Sequence, residues 1–380
     1  MMWKQNIRNI FFITIIVLIS LVFLVKIMIN NNEYNYVDNR MSYKLEIPDI
    51  NSFFDGSYQK NMENAIADQI PKYQYFKLGY NKLKKIVSVN FVKSFDNEVV
   101  KNYVNLGGIN SFDGYLLYEP YTKEKFESIS ENDIYNTNLL KQKTNANVYL
   151  YFVETDVMYN YATKSATDYK SYLFDNLNID GYGYFDVSDF EDYKKYFYKT
   201  DHHWNYLGSY EGYREIAKMM RFDNILKSIG KECYDDVKFK GSKMRDLANL
   251  SIYTDTLCVY QYDYPRYEIY DSGNKVAKYG MDYDEIESNS TLTYGDIYGW
   301  DTKELIFVNK NATNNKKLLI YANSYSNAIN KLLASNYSKT YVIDGRHYND
   351  MTMVDYINEH HIDDVLILAN SMLFVDNISW

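Results

Sequence analysis

Two of the five histidines in this 380-residue chain stand side by side, in Thr200-Asp201-His202-His203-Trp204-Asn205. Read as a locally extended segment, the hexapeptide alternates its side chains, so Asp201 and His203 share a face and His202 points away. A carboxylate beside an imidazole suits general-base catalysis. His203 takes a proton from a nucleophile through one ring nitrogen while Asp201 fixes the tautomer through the other. The best nucleophile is Ser324. The run Lys317 to Ala322 (KLLIYA) has strand length and ends one residue before it, and Ser326 to Leu333 is compatible with a helix just after. A serine on a strand-to-helix turn presents its hydroxyl at the top of a parallel sheet, where N–H groups of the helix start face a developing oxyanion. Alone, Ser324 also reads as a helix N-cap and the Asp-His pair as a buried, satisfied histidine; together they read as acyl-transfer chemistry. Metal use is the rival. A dinuclear phosphoesterase needs more aspartates at strand ends, and YKKYFYKT before Asp201 is no apolar strand; zinc needs His202 and His203 to converge, which extended neighbours do not favour. No metal and no cofactor is expected.

These residues need a scaffold. In the C-terminal third, KLLIYA, Thr340 to Ile343 (TYVI) and Asp364 to Leu368 (DVLIL) are strand-like, separated by helical stretches that include Met353 to His360. Such alternation predicts βαβ units, a parallel sheet with helices on both faces and a ligand crevice at the carboxyl ends of its strands. Asn147 to Val153 (NVYLYFV) is a further buried-strand run, and the Gly107 to Tyr118 segment is a turn followed by a strand that could open the sheet. Tyr206 onward reads as a helix, with the histidines on the loop before it. Two amphipathic helices are expected between Asp55 and Val87, broken at Pro71. Residues 232 to 300 look like an inserted or peripheral β-rich region.

Asp201-His202-His203-Trp204 resembles the signature of the DHHW family, SGNH-hydrolase-like proteins related to the periplasmic alginate O-acetylation proteins. Asp55-Gly56 through Asp68-Gln69-Ile70-Pro71 resembles that family's N-terminal helix and D-Q-x-P turn, and Phe112-Asp113-Gly114-Tyr115-Leu116 its first core strand. Asn323-Ser324-Tyr325-Ser326 resembles its serine turn, and Asp344-Gly345-Arg346-His347-Tyr348-Asn349 its D-x-R-x-Y-N segment. The resemblance covers about residues 50 to 370. It implies an α/β SGNH-like domain with Asp201, His203 and Ser324 as a triad. Its departures are Asn323 before the serine, no Gly-x-Asn-Asp oxyanion block, and Glu154-Thr155 in place of a proline-rich turn.

The N-terminus carries a different signal. Ile10 to Val25 is uncharged, and Ile27, Met28 and Ile29 extend it past Lys26 to about the 20 residues of a membrane-spanning helix. Lys4 and Arg8 before it and a polar stretch after it predict a cytoplasmic tail at 1–9, an anchor at 10–29, a tether at 30–50 and an extracytoplasmic domain at 51–380. The net charge of −9 argues against a nucleic-acid partner. Cys233 and Cys258 are expected as two buried thiols, although an extracytoplasmic compartment permits a bridge. The 43 tyrosines fit AT-rich codon drift, with a carbohydrate-facing surface as the alternative.

The resemblance then implies an O-acyltransferase that moves an acetyl group onto a cell-surface polysaccharide, with a multi-spanning membrane acyltransferase as donor partner. Tyr325 and Trp204 are expected at the substrate, and Arg346 either there or paired with a buried carboxylate in a structural role. An esterase with the same triad and a non-catalytic glycan-binding scaffold are the alternatives.

Overall fold

Continuous apolar runs are buried on both faces, and here they form the middle of one large sheet. In the computed structural model, residues 2–370 are described apart from 31, 33, 36–39, 45–46, 48–49, 55, 71, 95–103, 107, 248–249 and 251–252. The eight strands in chain order are β1 Asn147–Val153, β2 Gly181–Phe185, β3 Tyr267–Asp271, β4 Asn274–Val276, β5 Glu304–Asn309, β6 Lys317–Ala322, β7 Lys339–Ile343 and β8 Asp364–Asn370. They lie in the order β4-β3-β5-β7-β6-β8-β1-β2. From β7 to β2 every pairing is parallel, and β5, β3 and β4 add an antiparallel flank. The sheet is therefore mixed rather than purely parallel. Burial follows this division: β8 is buried at all seven positions, whereas β5 alternates buried and half-buried residues. From β6 the chain passes to β7 on one side and returns to β8 on the other, so β6 ends at a switch point of the sheet.

Two expectations are corrected in this region. Part of the 232–300 segment joins the main sheet, as β3 and β4. The Gly107 to Tyr118 segment does not: Asn110–Phe112 and Tyr115–Leu117 form a hairpin in a separate three-stranded sheet. Asp113 (φ 43°) and Gly114 (φ 81°) are both left-handed, as a two-residue hairpin turn demands. Gly107 itself lies outside the described residues.

Cys233 and Cys258 are not free thiols but a disulfide. Gly230–Tyr234 pairs antiparallel with Leu257–Gln261, and the register sets the two cysteines directly opposite each other, Cα atoms 4.0 Å apart. Spacing along the sequence carries no trace of that register.

The chain divides into two units, Met1–Val87 with Asp246–Ala248, and Ser88–Arg245 with Asn249–Trp380. The first unit holds helices Met2–Ile29 and Ser57–Gln69 and most of Tyr73–Lys93. Asp55 and Pro71 lie outside the described residues. The described part of 30–50 is not a free tether, because Asp68 gathers it. Its carboxylate accepts from Asn35 Nδ2 at 2.8 Å and from the Tyr43 N–H at 2.9 Å. Among the described residues no helix is long and apolar enough to cross a membrane, so the expected anchor is not supported by hydropathy over those residues.

In the second unit, helix Tyr206–Met219 carries the Trp204 side chain against its face. A Cβ at Gly212 would lie 2.5 Å from the indole, and one at Gly208 would lie 2.3 Å from the Tyr196 carbonyl oxygen. Glycines four residues apart thus make a slot that only bare backbone leaves open. Gly212→Ala should cost about 1–3 kcal/mol through overpacking, seen as a lowered midpoint of thermal unfolding; an unchanged midpoint would show that the indole has room to move.

Candidate active site

β6 ends at Ala322, and Asn323-Ser324 begin the turn beyond it, leading into the short 3-10 helix Ser324–Ser326. Asn323 is the cap of that helix, its side chain accepting from the Tyr325 N–H at 3.1 Å. The Ser324 hydroxyl is therefore released from capping. Its Oγ lies 2.8 Å from His203 Nε2, and His203 Nδ1 lies 2.6 Å from Asp201 Oδ1. The three side chains named from the sequence meet in one hydrogen-bonded line. Ser324 is half-buried and so open to a reactant, while Asp201 and His203 are 1% and 2% exposed.

The Asp-His segment is bent rather than extended. Asp201 Oδ1 also accepts the His203 backbone N–H at 2.9 Å, a local closure that aims the ring back at its own carboxylate. In consequence His202 does not point away. Its ring lies beside that of His203, centroids 3.9 Å apart, and its Nδ1 is 2.5 Å from Ser242 Oγ.

Residues distant in sequence complete the support. The Ser242 N–H donates to Asp201 Oδ2 at 2.7 Å. A Cβ on Gly241 would lie 2.1 Å from the Thr200 carbonyl oxygen, so glycine alone lets the two backbones approach closely enough for that bond. Asp255 accepts the Lys199 and Thr200 N–H groups at 2.6 and 3.0 Å, and the Leu116 N–H of the hairpin donates to Lys199 O at 2.9 Å. Tyr294 lies flat on the His203 ring, 3.8 Å between centroids and 3° between planes. None of Gly241, Ser242, Asp255 or Tyr294 was indicated by the sequence, since they lie in a stretch without period or motif. Next to Ser242, the fully buried Lys243 donates to Asp156 Oδ2 and shares a hydrogen bond with the Tyr193 hydroxyl, both at 2.9 Å. Asp156 follows Glu154-Thr155, where the family pattern has its proline-rich turn. Glu154 there is held by Tyr159 Oη at 2.7 Å and the Val187 N–H at 2.8 Å.

Burial alone would raise the Asp201 carboxyl, but His203 and then His202 outweigh it and hold it well below the usual carboxylate range. Burial, and next the proximity of His203, hold the His202 ring well below its ordinary value.

The expected substrate contacts fall elsewhere. Trp204 and Tyr325 are 0% and 1% exposed; the indole N–H donates to Tyr325 O at 3.1 Å, and the Tyr325 hydroxyl donates to His202 O. Both rings are core, with no face offered to a sugar, because the motif that carries the histidine must also anchor it. Arg346 Nε donates to Asp344 at 2.9 Å and Nη2 to Asp301 at 2.8 Å, so its guanidinium ties the loop after β7 to Asp301, the carboxylate pairing expected as its structural role. Among the described residues two groups bring possible metal ligands within 4.8 Å of one another, Asp201-His202-His203 and Asp301-Asp344-His347. In the first, Asp201 and both ring nitrogens of His203 are spent on the hydrogen-bonded line to Ser324. In the second, Arg346 supplies the positive charge to both aspartates.

A depressed carboxyl stabilises the fold fully above its unfolded value near 4 and loses that contribution as pH falls through the folded value. The stability gap between the wild type and Asp201→Asn should hence be constant from about pH 5 to 7 and narrow below about pH 4. Denaturant unfolding across that range checks it; a gap that widens on acidification would contradict the buried charge.

No family model matches the sequence, and a comparison with curated proteins finds no significant match. Solved structures do match. Bacillus cereus PatB1 with a sulfonyl adduct aligns at TM-score 0.55 and 20% identity over 71% of this chain and 97% of that one. A DHHW family protein from Eubacterium siraeum aligns at TM-score 0.53 and 21% identity over 72% of this chain and 94% of that one. The O-acetyltransferase domain of Pseudomonas putida AlgJ aligns at TM-score 0.38 and 13% identity over 70% and 91%. The α/β fold is thus that of the DHHW family protein and PatB1, as the motifs implied.

Proposed function

We propose that the chain is an O-acyltransferase in which Ser324, His203 and Asp201 pass an acyl group, an acetyl in the preferred reading, to a hydroxyl of a cell-surface polysaccharide. The observation that carries this is the unbroken line from Asp201 through His203 to a half-exposed serine hydroxyl at the end of β6. The DHHW resemblance and the shared fold support the acyl-transfer class.

In the first half-reaction Ser324 Oγ attacks the donor's ester carbonyl while His203 Nε2 takes the hydroxyl proton, and Asp201 steadies the imidazolium. The tetrahedral intermediate collapses, its bond to the leaving oxygen breaks, and His203 returns the proton to that oxygen. In the second half, a sugar hydroxyl gives its proton to His203, attacks the acyl carbon, and Ser324 leaves and is reprotonated. The Ser324 backbone N–H at the head of its short helix is the donor this turn offers to the oxyanion. With the same triad, water in place of the sugar makes an esterase.

The donor partner in this reading is a multi-spanning membrane acyltransferase. We also propose an extracytoplasmic location with attachment to the membrane through helix Met2–Ile29. Ile10 to Val22 are mostly large apolar side chains left exposed on that helix, and the disulfide suits an oxidising compartment.

The full-length chain should take up a sulfonyl group from phenylmethylsulfonyl fluoride on the peptide bearing Ser324, and Ser324→Ala should lose both labelling and turnover of an activated acetyl ester by about 10³-fold or more. Faster release of the leaving group only when an oligosaccharide is present marks a transferase; equal release with and without it marks an esterase. Undiminished turnover in Ser324→Ala would sink both.

A further inference from the structure

A cavity of about 340 Å³ opens in the second unit, and neither Ser324 nor His203 is among its walls. Seven of its eighteen lining residues are tyrosine, against 43 in the 380 residues of the chain, so drift in composition does not account for it. The walls come from the disulfide-pinned strand Leu257–Gln261 and the segment after it, from residues 279–286 and 297–298, from the first turn of helix Tyr206–Met219, and from the chain just beyond Ser324. Tyr206 and Tyr260 meet edge to face at 4.9 Å, and Tyr260 continues the contact to Tyr262.

The chemistry of this wall is specific. A partly exposed tyrosine such as Tyr206, Tyr260 or Tyr262 offers a flat apolar face and a hydroxyl tip, a combination that covers the C–H face of a sugar ring and meets its hydroxyls. Lys331 enters the cavity with its Nζ 3.9 Å from Asp282, and Asp284 lines it too. One cation set against two carboxylates leaves no excess positive charge for a phosphate or a carboxylated sugar, while donors and acceptors side by side suit neutral hydroxyls. The volume lies at the small end of the range for ligand sites, about 300–1,000 Å³, which fits one unit of a longer glycan.

The cavity also adjoins the catalytic residues. Tyr298 of its wall packs 4.7 Å from Tyr294, which is stacked on His203, and Asn327 of its wall follows Ser324 by one turn.

We propose that this cavity binds a neutral pyranose unit of the acceptor glycan, adjoining the unit whose hydroxyl is acylated. Calling that glycan an acceptor rests on the acyl-transfer reading; the binding does not. Calorimetric titration of the full-length chain with chitotetraose as the neutral probe and tetragalacturonate as the anionic one separates the two. Wild type and Ser324→Ala should bind chitotetraose equally, Tyr260→Phe within about threefold of them, and Tyr260→Ala at least tenfold more weakly, with tetragalacturonate weaker throughout. No binding of chitotetraose, or binding untouched by Tyr260→Ala while Tyr260→Phe stays folded and competent, would overturn the cavity as a sugar site. Preference for tetragalacturonate would overturn its neutrality. Binding by a protein whose Ser324→Ala variant keeps its turnover would leave the sugar site standing and remove the acyl-transfer reading.

Discussion

A carboxylate buried as deeply as Asp201 has to be satisfied from several sides, because an uncompensated charge in such a place costs several kcal/mol. The surrounding chain is arranged to do this. One oxygen takes the His203 ring and backbone N–H, and the other takes the N–H of Ser242, a residue 41 positions later. That last bond dictates glycine at 241, since a side chain there would collide with the Thr200 carbonyl. Asp255 and the Leu116 N–H then secure the backbone just before Asp201. Trp204 fixes the other end, filling the slot between Gly208 and Gly212 and reaching across to the Tyr325 carbonyl. The imidazole is thereby held between two anchors, and the serine is delivered to it by the central sheet.

Much of this was legible because it is local or periodic. β1 and β6 match their apolar runs residue for residue, and β7 and β8 begin or end within one or two residues of theirs, as central parallel strands buried on both faces should. The Asp201 and His203 pair was legible because two residues of separation suffice for a carboxylate to reach the next ring but one. Ser324 was legible because a buried strand stops just short of it. What stayed hidden depends on tertiary register. Ser242, Asp255 and Tyr294 approach the site from a stretch that carries no period, and the disulfide depends on how two short strands happen to pair. Aromatic type was also a poor guide to exposure. Trp204 and Tyr325 were expected at the substrate, but a residue next to a catalytic group is often the one that nails it to the core.

The tyrosine content acquires two separate meanings in the folded chain. Tyr193, Tyr213 and Tyr325 are packed inside with their hydroxyls bonded, acting as large core side chains with a polar tether. Around the cavity beside the site the same residue type lines the wall, and Tyr206, Tyr260 and Tyr262 there are only partly buried. Composition alone does not separate these uses, but burial does.

The distance along the chain between His203 and Ser324 bears on the history of each molecule. The base and its carboxylate are neighbours and can associate as soon as their segment is made, whereas the serine arrives 121 residues later, on a strand whose two partners, β7 and β8, follow it in sequence. Such long-range closure is among the slower events of folding. In a half-folded chain the Asp201–His203 pair therefore lacks both its distant anchors and the Ser324 hydroxyl, which reaches it only once β6 is flanked by β7 and β8. The hydrogen bond between Ser324 and His203 thus joins segments that only the paired sheet holds together, which makes its presence a report on completed folding.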